Sequence, residues 1–128
     1  MSYANYIERA MWGGIIGNMH HSDWGKFIYY QPFSGGISKP WGDPFNSFWC
    51  CYGTMLESHS KLGDLVYFVS SDNSQLYINQ YVSTKLSWDE LTVVQNAAFP
   101  NSLQSTTTIT ISGTSRSSKT INIRGVIS

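Results

Sequence analysis

Lys61-Leu62-Gly63-Asp64-Leu65-Val66-Tyr67-Phe68-Val69 (KLGDLVYFV, 61–69) is the stretch at which the chain changes its period. Ahead of it, apolar residues recur at helical spacing between loops rich in glycine and proline. Behind it they alternate, as in half-buried strands. The expected class is therefore α+β, with helices over residues 1–64 and strands over 65–128.

Working back from the break, Met55, Leu56, His59 and Leu62 share one face of a helix expected over Tyr52–Leu62, with Gly63 placed to cap it. Glu57 and Lys61 form an ordinary i, i+4 ion pair on its surface. Residues 15–41 read as loop around one extended piece, Lys26–Gln31, because Pro32, Gly35, Gly36, Pro40 and Pro44 interrupt anything longer. At the start, Tyr3, Tyr6, Ile7, Ala10 and Met11 make one helical stripe, with Ser2 as N-cap and Gly13-Gly14 as the stop. Working forward, Leu65–Val69 and Gln75–Val82 flank the turn signal Ser71-Asp72-Asn73-Ser74. Thr106–Ile111 and Thr120–Arg124 bracket Gly113–Ser118 and read as a second antiparallel hairpin.

Composition narrows the function classes. Eight basic and eight acidic residues cancel, and only 12% of the chain is charged, so no basic stripe supports a phosphate-driven nucleic-acid role. No run approaches the roughly 18 apolar residues of a membrane span. Met1–Ala10 has neither the basic start nor the apolar run of a secretory signal, and the compartment stays open. Aromatic residues make up 15%, including five Trp and eight Tyr. They serve either a core or a set of sugar-stacking platforms, for which Trp41, Trp49 and Trp88 are the candidates.

Both cysteines stand side by side in Phe48-Trp49-Cys50-Cys51-Tyr52-Gly53-Thr54. Neighbouring Cα atoms lie about 3.8 Å apart, short of the roughly 4.4–6.8 Å an unstrained disulfide needs. The pair reads either as two buried hydrophobes or as two thiols offered together to a soft metal or an electrophile. A structural zinc takes four ligands, and no C-x-x-C pair is present to supply the rest. The local candidates are Asp43, Glu57, His59 and His20-His21, none at a diagnostic spacing. Each also has a plainer reading: His59 as a hydrogen-bonded core histidine, the His pair as solvated loop, Asp64 as part of the helix-to-strand turn.

The cysteine stretch, followed by Glu57-Ser58, Lys61-Leu62-Gly63-Asp64 and Val66-Tyr67-Phe68, resembles the cysteine-dependent β-L-arabinofuranosidases of glycoside hydrolase family 127. Tyr3-Ala4, Tyr6-Ile7-Glu8-Arg9-Ala10, Ile28-Tyr29-Tyr30 with Pro32, Leu76–Tyr81 and Leu86-Ser87-Trp88 extend the likeness to about residue 100. The resemblance implies that residues 1–64 are the last helices of an (α/α)6, six-hairpin catalytic barrel and residues 65–128 the start of an antiparallel β-sandwich. It implies Cys50 as nucleophile, Cys50 and Cys51 as zinc ligands, and Tyr30 and Tyr52 at the sugar. The substrate implied is an L-arabinofuranoside-containing glycan or glycoprotein, cleaved at its non-reducing end with retention.

There are departures. The family's other zinc ligands and its acid/base glutamate belong ahead of the segment resembling Tyr3–Ala10, and Met55 replaces a small glycine. The chain is thus expected to be an inactive fragment whose first helix lacks much of its packing. Each large side chain left exposed forgoes about 1.5–3 kcal/mol, and self-association through such faces is one outcome. The competing class is a non-catalytic carbohydrate-binding or interaction module.

Overall fold

A computed structural model describes residues 3–99, 102 and 106–125. The chain divides into two compact units, Met1–Leu62 and Gly63–Ser128.

In the first unit, α1 (Tyr3–Arg9) carries no buried residue, and Tyr3 and Tyr6 of the expected stripe are exposed. The helix does not stop at Gly13-Gly14. It widens into a π turn over Ala10–Ile15 and closes as a 3₁₀ turn over Ile16–Asn18. A glycine ends a helix by taking positive φ, and neither of these does. The end comes where Met19 becomes extended, φ −100° and ψ 143°, and the Asn18 side-chain amide donates to the Gly14 carbonyl. The expected Ser2 cap lies outside the described residues.

The long loop is pinned at two isolated bridges, Met19 with Phe27 and Ile28 with Trp41, so the extended piece expected at Lys26–Gln31 has a partner on each side. The second helix, α2 (Cys50–Ser60), starts two residues earlier than its apolar spacing suggested, and Lys61 closes it. Gly63 is not its cap. It lies in the 3₁₀ turn Leu62–Leu65 that follows, without positive φ. Met11, Phe27, Ile28 and Tyr52 are the buried apolar residues of this unit, and Leu56, assigned to the apolar face, is exposed.

Among its described residues the second unit forms two three-stranded sheets. β1 (Tyr67–Val69) pairs antiparallel with β2 (Gln75–Ile78), Phe68 opposite Tyr77, as the turn signal required. β3 (Thr84–Trp88), β4 (Leu91–Ala97) and β5 (Thr107–Gly113) form an antiparallel meander. β6 (Thr120–Ile123) does not pair with β5 as the expected second hairpin demanded. It runs parallel to β2, Leu76 beside Ile121, while β5 lies on β4 with Val93 opposite Ile111. Ile109 and Ile121 are half-buried, but Ile111 and Ile123 are exposed, so the expected half-buried faces form only in part, and period two does not choose the neighbour. The architecture is α+β, with two small and mostly antiparallel sheets.

Both sheets contribute to one apolar cluster: Leu76, Ile78, Trp88, Leu91 and Val93. Trp88 is therefore a core residue, 4% exposed, and not a sugar-stacking platform. Its indole N–H donates to Asn73 Oδ1 at 2.6 Å, and Asn73 Nδ2 donates to Asp89 Oδ1 at 2.6 Å. Lys119 Nζ closes the set with the Asn73 carbonyl (2.6 Å) and Asp89 Oδ2 (2.5 Å), lying 5.0 Å above the Trp88 ring. Asn73 and Asp89 both sit at positive φ, 57° and 52°, conformations that Asn and Asp tolerate better than most residues. Gly113, at φ 109°, admits no side chain at all, since a Cβ there would run into the Glu90 carbonyl.

Two outcomes follow from this packing. Leu76→Ala, at a fully buried position, should cost about 2–5 kcal/mol in the denaturant unfolding of the β unit. Asp72 accepts from Ser70 Oγ, Ser74 Oγ and the Ser74 amide, which hold its pKa at about 2 against the ordinary 3.8. A depressed carboxylate contributes stability above its unfolded pKa and loses it as pH falls toward the folded one. Between about pH 4 and pH 2 the melting temperature should therefore drop, and Asp72→Asn should flatten that part of the profile.

Candidate functional site

The first turn of α2 places both thiols. Trp49 is extended, φ −76° and ψ 158°, and offers no side-chain cap, so the open amides of the first turn face the cysteines that begin the helix. Side chains one residue apart on a helix diverge by about 100°, yet Cys50 Sγ and Cys51 Sγ stand 3.8 Å apart, unbonded and exposed. The pair is open to solvent and is not two buried hydrophobes.

A second element meets them from the loop. The Tyr29 hydroxyl lies 3.5 Å from Cys50 Sγ, and its ring is packed edge-on against Tyr30 at 4.6 Å and Trp49 at 5.2 Å, with Tyr52 at 6.0 Å. The Tyr29 hydrogen bond, then that of Cys51, then backbone amides pull the Cys50 thiol below its ordinary range. Reciprocally, Cys50 and then Cys51 push the Tyr29 hydroxyl above its own, so it keeps its proton. Helix start and phenol together favour thiolate at Cys50.

Tyr52 is buried behind the thiols, with Phe27 at 6.4 Å and Trp49 at 5.6 Å. Gly42 makes room for it: a Cβ at Gly42 would come within 2.6 Å of Tyr52 Cζ. Two open clefts meet at Trp49 and Tyr52. One, of about 300 Å³, includes Cys50 with Phe27, Phe48 and Leu56. The other, of about 240 Å³, is lined by Tyr29, Tyr30, Trp41 and Asp43. Tyr30 is largely exposed on that wall.

The remaining metal candidates lie apart from the thiols or are engaged in local contacts, except that His59 Nε2 is buried without a hydrogen-bond partner. Asp43 Oδ1 accepts from the amides of Phe45 (2.8 Å) and Asn46 (3.0 Å), committing it to its own turn. Glu57 takes Lys61 at 3.0 Å, the ion pair the spacing suggested. His59 Nδ1 meets the Met55 carbonyl at 2.8 Å, the geometry of a core histidine. His20 Nδ1 accepts the amides of Ser22 and Asp23, with its ring on His21 and Trp41. Asp64 is exposed in the 3₁₀ turn. Among the described residues no group of three or more His, Cys, Asp or Glu comes together, so the two thiols stand as a pair.

Tyr29 and Gly42 are site residues that sequence reasoning did not single out. Tyr29 was visible as part of the Ile28-Tyr29-Tyr30 stretch of the resemblance, but its 21-residue separation from Cys50 carries no helical or strand period that would join the two.

Residues 1–64 match the family model described as the β-L-arabinofuranosidase GH127 catalytic domain. Half of the chain is covered, including the thiol pair and its aromatic wall, and the chain belongs to that glycoside hydrolase family. No curated protein matches it. Among the described residues no helix is long and apolar enough to cross a membrane.

The packing of Tyr52 against Gly42 generates a test. Gly42→Ala should displace the Tyr52 ring and destabilise the first unit by about 1–3 kcal/mol, seen as an earlier thermal transition and a weakened near-ultraviolet dichroism of the aromatic cluster. An unchanged aromatic signal would show that the ring is not held there.

Proposed function

We propose that this chain carries the nucleophile segment of a retaining, non-reducing-end β-L-arabinofuranosidase, with Cys50 as nucleophile and Cys50 and Cys51 as two ligands of a zinc ion. The observation that carries the reading is the 3.8 Å separation of the two sulfurs. Two thiolates on one tetrahedral zinc, each about 2.3 Å from it, stand about 3.8 Å apart, so the pair fits one edge of such a site. Two positions remain for other groups. By the resemblance these, and the acid/base glutamate, lie N-terminal to Tyr3. The helices of residues 1–64 are read as the closing part of the catalytic barrel.

When bound, zinc supplies the positive charge that keeps the thiols deprotonated at neutral pH. The work of the chain's own residues is then definite. Cys50 Sγ attacks the anomeric carbon, forming a C–S bond as the glycosidic C–O bond breaks. The leaving oxygen takes a proton from the glutamic acid. Water then displaces sulfur, gives its proton back to the glutamate, and restores the original anomeric configuration. Tyr30, Trp41 and Trp49, on the cleft beside the thiols, offer aromatic faces to the furanose and its neighbour. The substrate class is an L-arabinofuranoside of a plant-type glycan or glycoprotein.

Zinc-loaded, dialysed chain should hold about one zinc per molecule by elemental analysis, and the Cys50→Ser/Cys51→Ser variant only background. Equal zinc in both contradicts the metal assignment, whereas none in either means that the pair holds zinc only with the ligands the resemblance places N-terminal to Tyr3. The 128-residue chain alone should give no turnover of a chromogenic β-L-arabinofuranoside, and zinc-dependent turnover would overturn its being an incomplete catalyst. Sugar binding that survives Cys50→Ser, without zinc, would favour a carbohydrate-binding module instead.

A further inference from the structure

The thiol pair has an oxygen neighbour that no zinc assignment requires. The Tyr29 hydroxyl is 3.5 Å from Cys50 Sγ. It comes from the loop, 21 residues before the helix, and its ring is fixed on several sides: Tyr30 edge-on at 4.6 Å, Trp49 perpendicular at 5.2 Å, Tyr52 tilted at 6.0 Å. The residue before it, Ile28, is buried and bridged to Trp41. The oxygen's position is therefore set by packing that does not involve the sulfur, and a donor held independently of its acceptor is the arrangement expected of an outer-shell partner.

We propose that Tyr29 is an outer-shell positioning residue of the metal–thiolate site, its hydroxyl donating to the Cys50 sulfur and holding that thiolate on the shared edge with Cys51. The inference rests on the metal reading above and deepens it. A thiolate bound to one cation keeps lone pairs directed away from the metal. A phenol N- or C-terminal in sequence is immaterial so long as its oxygen comes within hydrogen-bond reach of the sulfur, as it does at 3.5 Å. The donated hydrogen bond draws charge from sulfur and fixes its direction, so it orders the ligand without competing for the metal. Tyr30, next in sequence and 70% exposed, belongs to the cleft wall and has no such role.

The test is a cadmium titration of the 128-residue chain, following the sulfur-to-metal charge-transfer absorbance, for wild type, Tyr29→Phe and Tyr30→Phe. Outer-shell partners are worth about 10–100-fold in metal affinity. Tyr29→Phe should therefore bind cadmium at least about tenfold more weakly while reaching the same absorbance per metal at saturation, because both sulfurs still ligate. Tyr30→Phe should bind as wild type does. Phenylalanine keeps the ring and its packing, so an unchanged far-ultraviolet dichroism identifies the loss with the oxygen. Affinity of Tyr29→Phe within about twofold of wild type overturns the role of Tyr29 and leaves the metal reading standing. No charge-transfer band in the wild type overturns the metal reading, and this inference falls with it.

Discussion

Two sulfurs on successive residues of a helix are pointed apart by the backbone, and in this chain they nevertheless stand 3.8 Å from one another. That distance constrains what surrounds it. It needs the cysteines at the very start of α2, where no preceding turn crowds them, and it needs Trp49 extended so that the loop leaves the thiols open to solvent. Tyr29 reaches Cys50 from a distant loop, placed there by the Ile28–Trp41 bridge beside it and by its own aromatic packing on Tyr30, Trp49 and Tyr52. The buried part of the first unit, Phe27, Ile28 and Tyr52, is largely the support of this arrangement.

The electrostatics point the same way. Hydrogen bonds from Tyr29 and Cys51 and the open amides of the helix start favour the charged form of Cys50. A thiolate is the form that both a soft metal and an anomeric carbon require. The proposed chemistry asks of Cys50 the charged form that these contacts favour. The β unit is built on a different principle. Its core is apolar and spans two sheets, and its turns are tied by Asn73, Asp89 and Lys119 over Trp88.

Legibility in the sequence followed physical locality. The change of period after Gly63, the hairpin of β1 and β2, and the Glu57–Lys61 pair were readable because each is set by residues close in the chain. The pairing of β5 and β6 was not, because Ile111 and Ile121 find Val93 and Leu76 on two different sheets. β3 and β4 escaped notice for another reason. The inward row of β4 is Leu91, Val93 and Gln95, and the buried Gln95 breaks the apolar alternation, its amide donating to Tyr67 (2.9 Å) and the Gln80 carbonyl (3.2 Å). Gly13-Gly14 misled because glycine ends a helix only when it takes positive φ. At the site, the cysteines and their aromatic neighbours were legible as a motif, whereas Tyr29 could be joined to Cys50 only by the fold.

The most direct test of the central claim, that the adjacent thiols act together on one soft ion, is zinc K-edge X-ray absorption fine structure on the zinc-loaded chain. The account predicts two sulfur scatterers at about 2.3 Å, with nitrogen or oxygen completing the shell, and one sulfur in either single Cys→Ser variant. A first shell of nitrogen and oxygen alone, or one sulfur in the unsubstituted chain, would contradict it.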